Sequence, residues 1–327
     1  MTIRMSVKIA DFSTLGSLTQ LGDGGEGVVY RAPNFPGDVY KEYKSAVAHE
    51  VDPWALEQTI GLLDQLAAPA RAFVSGRSAW PHTLVQKNGT TCGFLMQEIP
   101  DEFGCEHGMV GRRRPVLTDW NKLVTRSDWM ANDNIDSTVP QFNVKNKEDE
   151  KVLVQLLLDL CRLFAHLHEH QVVVGDVSGR NILWKADAEP SVFLIDCDGF
   201  RAEGQRAVTL SKQSPDWFDP HLVGDTTLES DRYKLAVAVY RAYFSDAFGV
   251  PSAPKASPGA QAQKILKLAQ QGIGPVQRTT AAQWCELLDE IESGRPRRSW
   301  SRKRPLPAST PIPDAPRSGR IWTPKGS

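Results

Sequence analysis

Val172-Val173-Val174-Gly175-Asp176-Val177-Ser178-Gly179-Arg180-Asn181-Ile182-Leu183-Trp184, followed by Ser191-Val192-Phe193-Leu194-Ile195-Asp196-Cys197-Asp198-Gly199-Phe200, is the stretch on which the reading of this chain turns. Apolar runs of strand length flank polar residues that read as turns. A carboxylate, an amide five residues later, and a carboxylate closing the next apolar run can converge on one point. Asp176 can accept or orient the proton of an attacking hydroxyl. Asn181 and Asp196 offer oxygen ligands to magnesium, with Asp198 as the rival to Asp196. Phosphoryl transfer needs mainly positioning and charge neutralisation, and such a set supplies both. Taken singly, Asp, Asn and Gly are ordinary turn formers. Their order, downstream of a glycine loop and a lysine, is what gives the set its weight.

That upstream loop is Leu21-Gly22-Asp23-Gly24-Gly25-Glu26-Gly27-Val28-Val29-Tyr30. Gly22, Gly24 and Gly27 form a GxGxxG pattern and Gly25 adds a fourth glycine. Glycines let a backbone approach a phosphate chain and turn its amides toward it. The apolar run after the loop predicts a strand, so the expectation is a hairpin closing over a nucleotide and not a helix N-terminus beneath one. Lys41 follows on the next predicted strand, where an ammonium can pair with the α- and β-phosphates. Its own carboxylate partner is expected to be Glu57, with Glu50 as the alternative.

Working outward, residues 15 to 45 alternate as strands, and Asp52-Pro53 reads as an N-cap with proline at the first helical position of a helix to about Leu66. Two strands are expected around 82–86 and 92–99, joined by a Lys87-Asn88-Gly89 turn. Residues 101 to about 146 show few periodic signals and are expected to be an irregular insertion. From Lys151 to His170, Leu153, Leu156, Leu157, Leu160, Phe164 and Leu167 fall at helical spacing. Further helices are expected over 230–244, 260–271 and 280–291. The last 34 residues hold seven prolines, and nine Lys/Arg against one Asp give them a net charge of +8. They are expected to be extended or disordered.

The whole chain has 327 residues and a formal charge of −1, which argues against a polyanionic partner, so nucleic acid is not expected as one. Five cysteines at wide spacing, with no Cys/His ligand pattern, read as reduced thiols and not as a zinc site. The most apolar stretch, 152–167, is broken by Gln155, Asp159 and Arg162 and reads as a core helix, so no membrane association and a cytoplasmic location are expected.

Residues 15 to 293 resemble the eukaryotic-like protein kinase superfamily in a divergent, bacterial form. The resemblance rests on the glycine loop, Lys41, the Asp176-to-Asn181 spacing and the Asp196-Cys197-Asp198 turn. It is supported by Ser214-Pro215-Asp216-Trp217-Phe218-Asp219-Pro220, by Ser230-Asp231-Arg232-Tyr233, and by Arg278. It implies an α+β, bilobal fold with a β-rich lobe over 1–100, a mainly helical lobe over 101–293 holding the insertion 101–150, and the tail 294–327. It implies ATP and Mg2+ as cofactors. Val29 and Val39 would roof the adenine, Leu183 would form its floor, and Gln97, Glu98 and Ile99 would belong to the segment between lobes. Asp231 would anchor the catalytic loop and Arg278 would tie down the downstream segment, pairing with Asp219 or with nothing. The chain departs from the pattern at several positions. Glu26 replaces the loop-tip aromatic, Val174-Gly175 replaces the usual His-Arg, and Ser178 replaces a lysine for which Arg180 can stand in. Without that arginine, activity is not expected to depend on a phosphorylated activation segment. The implied activity is transfer of phosphate from Mg-ATP to a protein hydroxyl, Ser/Thr before Tyr. A nucleotide-binding pseudokinase and a small-molecule kinase of the aminoglycoside-phosphotransferase type are the alternatives. The protein substrate is unnamed by the sequence, and the basic tail is a candidate partner or autophosphorylation segment.

Overall fold

The computed structural model describes residues 7–125, 132–142, 146–209, 214–251 and 258–294. The basic tail lies outside this set. The protein is mixed α+β and divides into two compact units, one of residues up to Ile99 with Arg206–Leu210, the other starting at Pro100.

The first unit is built on six strands: β1 (Lys8–Asp11), β2 (Thr19–Asp23), β3 (Gly27–Arg31), β4 (Asp38–Tyr43), β5 (Pro81–Lys87) and β6 (Thr90–Gln97). They form one sheet in the order β1-β5-β6-β4-β3-β2, with only β1 paired in parallel. Tyr40 of β4 and Leu95 of β6 share one core with Ala10, Leu15, Ala32 and Val85. The β5–β6 turn is closed by Asn88 and Gly89, both at positive φ. Three helices complete the unit: α1 (Ser45–Ala48), α2 (Pro53–Gln65) and α3 (Ala68–Ser75). Asp52 caps α2 through hydrogen bonds from Trp54 N and Ala55 N. The helix packs Leu56 and Ile60 inward and accepts the Trp80 indole N–H at Thr59 O, 2.9 Å away.

The second unit opens with β7 (Gly104–Met109) and β8 (Arg112–Leu117), the short helix α4 (Trp120–Val124) and β9 (Ile135–Ser137). This corrects the irregular insertion expected over 101–150: the three strands form a sheet in the order β8-β7-β9, and its hairpin turns at Gly111, φ 75°. The pattern hid because β8 is exposed from Arg112 to Pro115, so it carries no apolar alternation. The last residues of that insertion begin α5 (Lys147–Glu169), which runs through the expected apolar positions, all fully buried. Then come β10 (Val172–Val173), β11 (Ile182–Lys185), β12 (Ser191–Leu194), β13 (Arg201–Ala202), α6 (Leu228–Phe244), α7 (Ala260–Gly272) and α8 (Ala281–Ser293). The α5–α8 contact buries Trp284, Cys285 and Leu288 and carries an Arg162–Asp289 ion pair at 2.9 Å. Helix α6 is buried nearly all round. It begins in a capping box in which Thr227 Oγ1 accepts from Ser230 N and Ser230 Oγ accepts from Thr227 N.

All five thiols are free. Cys105, Cys161, Cys197 and Cys285 are buried and Cys92 is half-buried. Burial pushes the Cys285 thiol up to about 12 and raises Cys161 well above the ordinary value. Among the described residues no helix is long and apolar enough to cross a membrane.

Candidate active site

In the first unit the glycine segment is a hairpin turn between β2 and β3. Gly22 lies on β2, Gly24 and Gly25 are exposed at the tip, and Gly24 N donates to Gly27 O at 2.9 Å. Gly27 is buried, because a Cβ there would lie 2.7 Å from Glu42 O and 3.2 Å from two carbons of the Lys41 side chain. The turn therefore rests on the stem of Lys41, which is why a glycine is needed there. Lys41 is buried on β4, with its Nζ 5.6 Å from the Phe94 ring centre and 5.9 Å from that of Tyr43. Phe94 is its cross-strand partner on β6. Gly93, next to Phe94, was not singled out by the sequence, yet a Cβ there would lie 2.0 Å from Lys41 O. Val39 is buried two residues before Lys41, and Val29 pairs directly across from Lys41. Gln97 ends β6, Glu98 Oε1 accepts from Arg31 Nη2 at 2.5 Å, and Ile99 closes the unit. Glu57 is half-buried on α2. Glu50 precedes that helix, with its Oε1 3.9 Å from His49 Nε2.

In the second unit the Asp176 loop joins β10 to β11. Asn181 Nδ2 donates to Asp176 Oδ2 at 3.0 Å and to Asp176 O at 2.9 Å, and Ser214 Oγ donates to Asp176 Oδ1 at 3.4 Å. Burial is the largest influence on Asp176 and raises its carboxyl above the ordinary range, opposed mainly by the Lys234 charge. The Asp196 charge raises it further, so these two carboxylates share a field. Spending its Nδ2 on Asp176 leaves Asn181 with its Oδ1 as the oxygen a cation can take. Leu183 is buried on β11 opposite Phe193, and Arg180 is exposed.

The acidic turn separates its two carboxylates. Asp196 is exposed and sits in the left-handed region, φ 61° and ψ 43°, which a non-glycine residue adopts at a cost. Asp198 is buried, only 4% exposed. Asp196 and Asn181 thus present oxygens that could hold an oxygen-ligand cation, whereas the Asp198 carboxylate is enclosed.

Behind the loop, Asp231 on α6 accepts from Val174 N at 2.6 Å and Gly175 N at 3.0 Å. Arg278 forms a bidentate pair with Asp219, at 2.5 and 2.9 Å, and also donates to Glu229 O. Sequence reasoning missed Lys234 and Arg201, both buried beside this loop. The available signal was a lysine between Tyr233 and Leu235 in a helix otherwise apolar in its middle, a place where a charge is rare unless partnered.

No family model matches the chain. Two curated relatives do, and both carry the name protein kinase. Protein kinase YegI of Escherichia coli K12 is 26% identical over 254 residues, which is 73% of this chain and 34% of that protein. Its counterpart in Escherichia coli O157:H7 is 25% identical over 235 residues, 69% of this chain and 31% of that one. The chain thus spans about a third of the length of these relatives and has a distant, kinase-like relationship to them.

Proposed function

We propose that this chain adopts the bilobal protein-kinase fold and transfers a phosphoryl group from Mg-ATP to a protein hydroxyl, Ser/Thr in preference to Tyr. The observation that carries the reading is the Asp176–Asn181 pair beside an exposed, left-handed Asp196. In this reading Asp176 orients the attacking hydroxyl and accepts its proton, and its raised carboxyl makes it a better base than an ordinary aspartate. Asn181 and Asp196 would hold magnesium, which supplies neutralisation of the phosphate charge. The hairpin amides around Gly24–Gly27 would lie against the phosphates and Lys41 would pair with two of them, with Glu57 as the partner that holds its rotamer. Val29, Val39 and Leu183 would enclose the base, and Arg180 would take the place of the missing loop lysine at the transferred phosphate. The two relatives named as protein kinases support the reaction class.

The test is γ-phosphate transfer by the full chain, to itself and to a generic basic protein, together with calorimetric ATP binding with and without magnesium. Transfer should vanish in Asp176→Ala. Magnesium-dependent binding should weaken in Asp196→Ala and in Lys41→Ala and survive in Asp198→Asn. ATP binding indifferent to Lys41 and Asp196, or no binding at all, overturns the proposal. Magnesium-dependent binding with no transfer to any protein overturns the protein-kinase half; transfer to a small-metabolite mixture would then indicate a small-molecule kinase, and its absence a nucleotide-binding pseudokinase.

A further inference from the structure

Two fully buried charges of opposite sign lie one helical turn apart on α6, at Asp231 and Lys234, and both are spent on the same residue. Asp231 Oδ1 accepts from Gly175 N at 3.0 Å, and Lys234 Nζ donates to Gly175 O at 2.7 Å. The spacing of three residues puts both side chains on one face, so the helix grips the amide and the carbonyl of the residue that precedes Asp176. A third charge closes the arrangement. Gly175 has φ 81°, and a Cβ on it would lie 3.2 Å from Arg201 Nη1 and from Thr226 Oγ1, so no other residue fits without strain. Arg201 Nη2 donates to Thr226 O and Thr226 Oγ1, both at 2.6 Å, and its Nη1 reaches Gly199 O at 3.4 Å. Arg201, on β13, thus lies against Gly175 with its guanidinium committed to internal partners.

A buried ammonium is costly to desolvate and is kept where it is partnered. The charges around Lys234 are Asp231, Asp176 and Asp219 on the acidic side and Arg201 on the basic side, and His168 Nε2 lies 3.5 Å from Asp231 Oδ2. The hydrogen bond to Gly175 is where that ammonium is used.

We propose that Lys234 is a positioning residue for phosphoryl transfer: with Asp231 it fixes the Gly175 peptide and thereby the direction of the Asp176 carboxylate. The functional half of this rests on the phosphotransferase reading, and the clamp itself does not. It makes the loop position a built-in property of the second unit, with no external phosphate required.

The experiment compares the wild-type chain with Lys234→Met, Lys234→Gln and the control Arg162→Met, which breaks a different partly buried ion pair in the same unit. Four quantities are read: amide exchange over residues 172–178, the unfolding midpoint, kcat, and KM for ATP. Lys234→Met should speed exchange in that window and lower kcat, each by about tenfold, the equivalent of one hydrogen bond to a charged donor, with KM for ATP little changed. Lys234→Gln, which keeps a shorter neutral donor, should fall between the two and stands in should the methionine variant fail to fold. Arg162→Met should lower the midpoint without moving either readout. Wild-type exchange and kcat in both Lys234 variants overturn the proposal, and so does an equal loss of kcat in Arg162→Met at equal destabilisation. If wild type transfers no phosphate, the phosphotransferase reading fails, and the exchange measurement still decides the clamp.

Discussion

Asp176 carries an energetic burden that its neighbours only partly relieve. Burial raises its carboxyl, and the hydrogen bonds from Asn181 and Ser214 and the Lys234 charge act against that rise. A carboxyl whose native value lies above its unfolded value is favourable to the fold while protonated, at pH below the unfolded value of about 3.9. That contribution is lost as pH climbs through the raised native value. Asp176→Asn should therefore unfold at higher urea than wild type near pH 7, with the gain disappearing as pH falls toward 4, while any phosphoryl transfer is abolished. Urea midpoints measured from pH 4 to 7 check this, and a variant less stable than wild type at pH 7 would refute it. Gly27 makes the opposite case. A methyl at that position meets Glu42 O at 2.7 Å and the Lys41 stem at 3.2 Å. Gly27→Ala should cost about 1–3 kcal/mol by overpacking, read from urea unfolding, and should disturb Lys41 before it disturbs the hairpin tip.

Among the elements, Thr227 decides where α6 starts and so where Asp231 stands. Removing its hydroxyl unmakes half of a capping box, and Thr227→Ala should cost about 1 kcal/mol in chemical unfolding. The long helices were legible in the sequence because their apolar positions recur at helical spacing and face real cores. The Asp52-Pro53 start of α2 was legible because its cap chemistry is local. The β7–β8–β9 sheet was not. Its strands are mostly polar, with β8 largely exposed and β7 and β9 only partly buried apart from Cys105, and nothing in their residue pattern distinguishes them from a loop. β1 escaped for a related reason: four residues, three of them exposed, are held by parallel pairing to a strand some seventy positions away.

At the scale of the whole molecule, a buried ion pair adds to the apolar cores in joining stretches far apart in sequence. Arg278 and Asp219, both nearly fully buried, bring the segment after Ser214 to the approach of α8. The sequence raised this pair only as one option for Arg278, since nothing local distinguishes a paired arginine from a solvated one. Breaking it leaves Asp219 buried without its counter-charge. Arg278→Met should thus destabilise the chain by about 3–5 kcal/mol, and adding Asp219→Asn should restore much of that loss. Equilibrium unfolding of the two single variants and the double variant gives the coupling directly. The candidate site itself was legible to the extent that its residues sit in short runs with fixed offsets, as Asp176 and Asn181 do. Lys234 and Arg201 were hidden because their importance arises from tertiary burial.

The thiols give these measurements a convenient reporter. Four of the five cysteines are shut away, and only Cys92 has partial access to solvent. An alkylating reagent added to the native chain should label Cys92 first and reach Cys161 and Cys285 only when the α5–α8 contact parts. Mass-resolved labelling kinetics would then report opening of each region separately, in a single tube, with no dye or engineered tag.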